Sequence, residues 1–206
     1  MKRALFIAGL VLLSALWLGP LPALTRHSFT AHMLLHMGVV AVAAPLLALG
    51  VAGTRYDPVR RWPVWFPAVP LSIAELVVVW GWHAPALHHA ARHVAWGMAV
   101  EQACFFVAGL LVWLASVSGR EERAGAGVAA LLLTSMHMTL LGALLALTPR
   151  ALYAHAGHEE DAMLTALEDQ HLGGAVMLTI GGIAYLAGGL ALTARLVRRK
   201  LVTSRV

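Results

Sequence analysis

Six apolar runs, each about 20 residues long and separated by short polar connections, leave this chain few ways to fold. They lie near 4–24, 29–50, 63–83, 94–117, 125–147 and 172–195. Inside hydrocarbon every backbone N–H and C=O needs a partner within the protein, so runs of this kind become helices. The expected fold is all-α: a polytopic transmembrane helical bundle of about six spans, forming a single integral membrane domain over 1–206. The first run carries a second possibility. Lys2 and Arg3, followed by an apolar stretch ending at Gly19-Pro20-Leu21-Pro22-Ala23, also read as a signal peptide across 1–24, which would leave five spans. Its length favours a retained span.

Composition agrees with the pattern. Residues are 60% hydrophobic and 12% charged, whereas a soluble domain carries about 25% charged residues. A sequence pI of about 10.1 could suggest nucleic acid, but the basic residues stand in clusters between the runs, which is a topology signal and not a binding stripe. With the N-terminus cytoplasmic, the inner side carries Lys2, Arg3, Arg55, Arg60, Arg61, Arg120, Arg123, Arg195, Arg198, Arg199, Lys200 and Arg205. Only Arg26, Arg92 and Arg150 fall outside. Six spans then return the C-terminus to the cytoplasm, and the expected location is a bacterial cytoplasmic membrane. Trp62, Trp65 and Trp113 sit near the inner boundary and Trp17, Trp80, Trp82 and Trp96 near the outer one, as interfacial aromatic residues do. A single cysteine, Cys104, excludes an internal disulfide and a zinc-finger arrangement. Phosphate loops, nucleophile elbows and zinc-protease motifs are missing, so no enzyme is expected.

The histidines are distributed one-sidedly. All eleven fall within spans or on the external side in this frame. His32-Met33-Leu34-Leu35-His36-Met37 is a doubled His-Met pair. Its spacing of four places both imidazoles on one helix face and both thioethers on the neighbouring strip. Such a stripe is either a packed core or a set of metal ligands. His83, His88, His89 and His93 occupy the third-to-fourth connection, and His137 lies inside the fifth span between Met136 and Met138. Residues 148–171 form an acidic external loop in which His155 and His158 adjoin Glu159, Glu160 and Asp161. Glycines at 174, 181 and 188, with doublets at 173, 182 and 189, mark a helix-packing strip on the last span.

Two carboxylates lie within the spans, where a charge is costly and usually functional. Glu75 is eight residues before His83 and Glu101 eight after His93, each about 12 Å below an external helix end at 1.5 Å per residue. His36 reaches a similar depth, and His137 lies about 16 Å down. These four groups are expected to share one layer. Candidate metal ligands are His32, His36, Met33, Met37, His83 and His137. Glu75, Glu101, Met98, Asp169 and His171 are candidates to orient imidazoles or balance charge. Imidazole and thioether without paired thiolates favour copper, Cu(I) in particular; haem ligated by His or Met is the alternative. A metal transporter is a weaker reading, because the inner halves of the spans offer almost no polar residues to line a route.

Phe29-Thr30-Ala31-His32-Met33-Leu34-Leu35-His36-Met37, leading to Ala44-Pro45-Leu46-Leu47-Ala48-Leu49-Gly50, resembles the signature of the multispan CtaG-type cytochrome c oxidase assembly factors. Trp82-His83-Ala84-Pro85 and Asp169-Gln170-His171-Leu172-Gly173-Gly174-Ala175-Val176-Met177 agree with it, in the same order along the chain. The resemblance marks His32, His36, His83, Asp169 and Gln170 as motif positions. It departs at Met98-Ala99-Val100-Glu101-Gln102, which keeps a glutamate but lacks the two histidines of a His-x-x-Glu-His-like stretch. The resemblance implies assistance to a haem-copper oxidase at its copper-dependent step. Oxidase subunits, a soluble extracytoplasmic copper donor and membrane lipid would be the partners.

Overall fold

A computed structural model describes residues 1–94, 96–118, 121–153 and 164–203, and every regular element among them is helical. The main helices are α1 (Lys2–Leu18), α2 (Phe29–Val51), α3 (Ala68–Trp82), α4 (Pro85–His93), α5 (Gly97–Val117) and α6 (Glu121–Leu147). The last, α7, runs through the consecutive segments Ala166–Val176, Met177–Gly181 and Gly182–Thr203. Four of them, α2, α5, α6 and α7, are long and apolar enough to cross a membrane, while α1 and α3 are shorter. Local chemistry moves several boundaries away from the expected ones. Pro67 precedes α3 and biases its neighbour away from helix, so α3 begins at Ala68 rather than near 63. Thr165 forms a capping box with Glu168, which starts α7 at Ala166, six residues before the expected 172.

Helix α2 is the centre of the bundle. α1 packs along its second half, α5 against its middle and second half, and the beginning of α7 against its first two turns. α3 lies between α5 and α6, and α7 runs along α6. Residues Gly38–Ala43 within α2 wind as a π-helix, its last bond running from the Ala44 amide to the Val39 carbonyl, and Pro45 ends that pattern. A π turn would pair the Val40 carbonyl with the N–H of residue 45, and proline has none. Trp113 Nε1 (3.1 Å) and the Tyr185 hydroxyl (3.3 Å) donate to that carbonyl instead.

A second π segment, Met177–Gly181, alters the expected glycine strip. In a regular helix, positions 174, 181 and 188 would share a face. One extra residue per turn at the π segment shifts the phase, so faces pair at a spacing of eight across it. Gly174 and Gly182 accordingly meet α6, at Gly142, Ala146 and Thr139, while Gly173 meets α2 at Phe29 and Met33, and Gly181 lies between Met37 of α2 and Met138 of α6. Where Gly174 crosses Gly142, a Cβ would come within 2.5 Å of the Ala146 amide nitrogen. The two backbones touch because neither carries a side chain there.

Candidate metal centre

The orientation of α2 is set by a neighbour. Ser28 caps it, its Oγ accepting from the Ala31 amide. Asp169 of α7 completes the cap: Oδ2 accepts from the Phe29 amide at 2.5 Å, and Oδ1 from the Thr30 amide at 3.1 Å and the Ser28 hydroxyl at 2.9 Å. The Thr30 hydroxyl donates to the Asp169 carbonyl (2.9 Å), so the contact runs both ways. With its first turn held to α7, α2 presents Met33 and Met37 to Gly173 and Gly181. His32 and His36, one step round the helix, point instead towards His83, α4 and α5.

Gln170 fixes a second support. Its Oε1 accepts from the Leu152 amide (2.6 Å), and its Nε2 donates to the Leu145 and Arg150 carbonyls. The segment so held ends in Tyr153, whose ring stacks on Phe29 at 4.2 Å and whose hydroxyl donates to the His83 carbonyl at 2.5 Å. His83 is oriented further by its own Nδ1, which donates to the Val79 carbonyl at 2.6 Å. That bond places the proton on Nδ1 and leaves Nε2 with its lone pair, as a metal-ligating imidazole requires.

Four buried imidazoles result, from three elements. Ring centroids are 5.0 Å apart for His32 and His88, 5.7 Å for His32 and His83, and 5.2 Å for His36 and His83. Phe105 of α5 sits among them, 3.9 Å from His36. Both ring nitrogens of His36, Nε2 of His32 and Nε2 of His83 have no hydrogen-bond partner among the described residues. Buried polar atoms in this condition are rare and call for an explanation. Glu101 closes the cluster: its Oε2 is 3.8 Å from His32 Nδ1 and its Oε1 is 3.9 Å from His88 Nδ1. One ligand atom each from His32, His88 and Glu101 lie within 4.8 Å of one another.

A guanidinium already occupies this corner. Arg92 Nη2 donates to Glu101 Oε2 at 3.0 Å and to His32 Nδ1 at 2.7 Å. Burial draws the Arg92 pKa down from its ordinary value, and the Glu101 carboxylate opposes that shift. Since arginine donates only, His32 Nδ1 is the acceptor. Neither His88 nor Arg92 was among the site residues expected from sequence, which placed both in an external connection. The signal was present, because Pro85 opens a nine-residue helix on which positions 88, 91 and 92 share a face.

Of the remaining expected residues, His137 lies within electrostatic reach of His36, and the others go elsewhere. Glu75 is not among the imidazoles. It accepts from the Tyr185 hydroxyl (2.6 Å) and the Thr134 hydroxyl (3.1 Å), and Thr134 pairs with Ser72 at 2.8 Å. The expected single layer therefore divides in two, and the cause is local. His93 ends α4 and Gly97 begins α5, so Glu101 stands in the second turn of its helix, about 6 Å from its start. Glu75 lies two turns below His83. His137 is buried, with neither nitrogen partnered among the described residues, and lines a cleft with Met136, Thr139 and Leu140. Met98 accepts from the Thr25 hydroxyl at 3.2 Å. The His171 ring approaches the Thr148 carbonyl, Nε2 to O 2.8 Å. His155, His158, Glu159, Glu160 and Asp161 lie outside the described residues.

The chain is matched over residues 1–199 by the family model for the cytochrome c oxidase caa3 assembly factor. No curated protein and no solved structure is significantly similar to it.

Proposed function

The chain belongs to the cytochrome c oxidase caa3 assembly factor family, and from that premise we propose that it binds copper in the imidazole cage and assists its delivery to a haem-copper oxidase. The observation that carries this reading is the set of buried nitrogens on His36, His32 and His83 that have no partner among the described residues and converge from one helix and the end of another. Burying such atoms is costly unless something binds them. Imidazoles suit copper, and a site shut away from water suits Cu(I). Phe105 packs among the rings, 3.9 Å from His36, which favours an ion over a haem macrocycle.

His32, His36 and His83 would supply the ligands, with His88 at the rim and His137 on the neighbouring helix. Met33 and Met37, lying against the glycine rows of α7, favour a packing role over ligation. Glu101 balances the cation's charge. Arg92 holds a positive charge at this position already, so cargo and guanidinium compete for Glu101 and His32. Copper arriving on the external side, from a soluble donor, displaces Arg92. Return of Arg92 when an oxidase subunit docks favours release. On this reading the cytoplasmic membrane of a bacterium is the setting, and no substrate bond is made or broken.

Metal analysis and an optical spectrum of one purified sample test the proposal. Protein loaded with Cu(I) should retain about one copper per chain, as a single site of this size requires, and show no Soret band. Copper-free protein together with normal oxidase assembly by His32→Ala/His36→Ala would sink the reading, and a Soret band would replace it with haem. The variant Arg92→Gln should bind Cu(I) more tightly and transfer it more slowly. Unchanged affinity would remove the competition step alone.

A further inference from the structure

The outer face of α4 carries a pair that the buried centre does not use. His89 and His93 are four residues apart, both exposed, and their rings lie 4.1 Å apart with Nε2 to Nε2 at 2.9 Å. Neutral imidazoles hold such a distance only when one nitrogen donates and the other accepts. Two lone pairs converging at this separation also form a bite for a cation. With metal–nitrogen bonds of about 2.0 Å, a 2.9 Å separation subtends close to 90°. That is the cis angle of a square-planar site, the geometry preferred by Cu(II) and Ni(II) on nitrogen ligands. α4 has no acidic residue, so imidazole nitrogen is the only ligand chemistry it offers on that face.

We infer that His89 and His93 form a second, solvent-facing site for a square-planar divalent cation, separate from the buried cage. The inference does not rest on copper binding in the cage. It has a mechanical corollary. A nine-residue helix is marginal alone, and a metal tying positions four apart spans one of its turns. The same helix sends His88 and Arg92 into the cage from its other face. An occupied outer pair would therefore stiffen the element that holds the inner groups in place.

The test uses the full chain in detergent, with Cu(II) alone as probe. Titration followed by electron paramagnetic resonance should reveal a type of site with nitrogen hyperfine structure that is lost in His89→Ala/His93→Ala. The same signal should persist in His32→Ala/His36→Ala, which separates this site from the buried one. Amide exchange across α4 should slow on adding Cu(II) to the parent chain and stay unchanged in His89→Ala/His93→Ala. Both positions are exposed, so a normal helical circular dichroism spectrum is expected of that variant. Equal Cu(II) stoichiometry and identical spectra for parent and His89→Ala/His93→Ala would overturn the inference.

Discussion

Two buried polar regions lie within a few turns of each other and are built on opposite principles. Around Glu75 each carboxylate oxygen accepts a hydroxyl, from Tyr185 and Thr134, and Thr134 is paired in turn with Ser72. Around His36, both of its own ring nitrogens and Nε2 of His32 and His83 are sealed from solvent without a hydrogen-bond partner among the described residues. A satisfied network fixes how helices pack, because every member loses a partner if one moves. Unsatisfied atoms fix no such packing, and their burial calls for an explanation, which the proposed copper site would supply. Burial and residue type alone would have ranked the two regions equally. The partners distinguish them.

That contrast can be broken experimentally, and the largest effect is expected at the cage. His32→Ala/His36→Ala should lose Cu(I) retention altogether. His36→Leu, which replaces unpartnered polar atoms by an apolar group, should change stability by less than about 1 kcal/mol. Loss of folding in His36→Leu would mean that the imidazole does structural work after all. Asp169→Ala comes next, since it removes a carboxylate accepting from two amides and a hydroxyl at the head of α2. A cost of about 2–4 kcal/mol is expected by denaturant or thermal unfolding, with weaker copper retention because His32 closes that first turn and His36 lies one turn further on. Full copper affinity in a destabilised Asp169→Ala would show that the cage needs no anchoring from α7.

Glu75→Ala should lower stability by about 1–3 kcal/mol, by stranding two hydroxyls, while copper per folded chain stays at the parent value. Copper loss there would merge the two regions into one site. The smallest change is expected for Gly181→Ala. Its Cβ would meet Met37 Sδ and Met138 Cβ at 3.2 Å; the thioether can swing aside but the Met138 Cβ cannot, so a cost of about 1 kcal/mol is expected. A large loss of copper on this substitution would instead point to Met37 as a ligand held in a set position.

The outline of the fold was legible because membrane solvation is unforgiving. Apolar length and the need to satisfy the backbone announce the helices, and α2, α5, α6 and α7 stand close to where the runs lie. Helix ends were less legible, since Pro67, Thr165 and the break between His93 and Gly97 act over only a few residues. The site was half legible. His32, His36, His83 and Glu101 declared themselves as polar groups in apolar surroundings. His88 and Arg92 did not, because they sit in a polar connection whose inward face appears only once α4 folds over the bundle. Depth counted along the sequence placed Glu75 beside the imidazoles, but hydroxyls from α6 and α7 claim it. Such pairing across helices leaves no trace in the spacing of either.

The π segment in α7 has a consequence for how this bundle could diverge. It absorbs one extra residue in a widened turn, and so keeps the half that carries Asp169 and Gln170 in register with the half packed on α6. Deleting a single residue from Met177–Gly181 would let a regular helix form in which Gly174 and Gly182, then seven apart, still share a face. A second deletion would find no widened turn left to absorb it, turning one half relative to the other by about 100° and swinging Asp169 off the amides of α2. The π segment thus gives this helix one residue of slack in length, and no more.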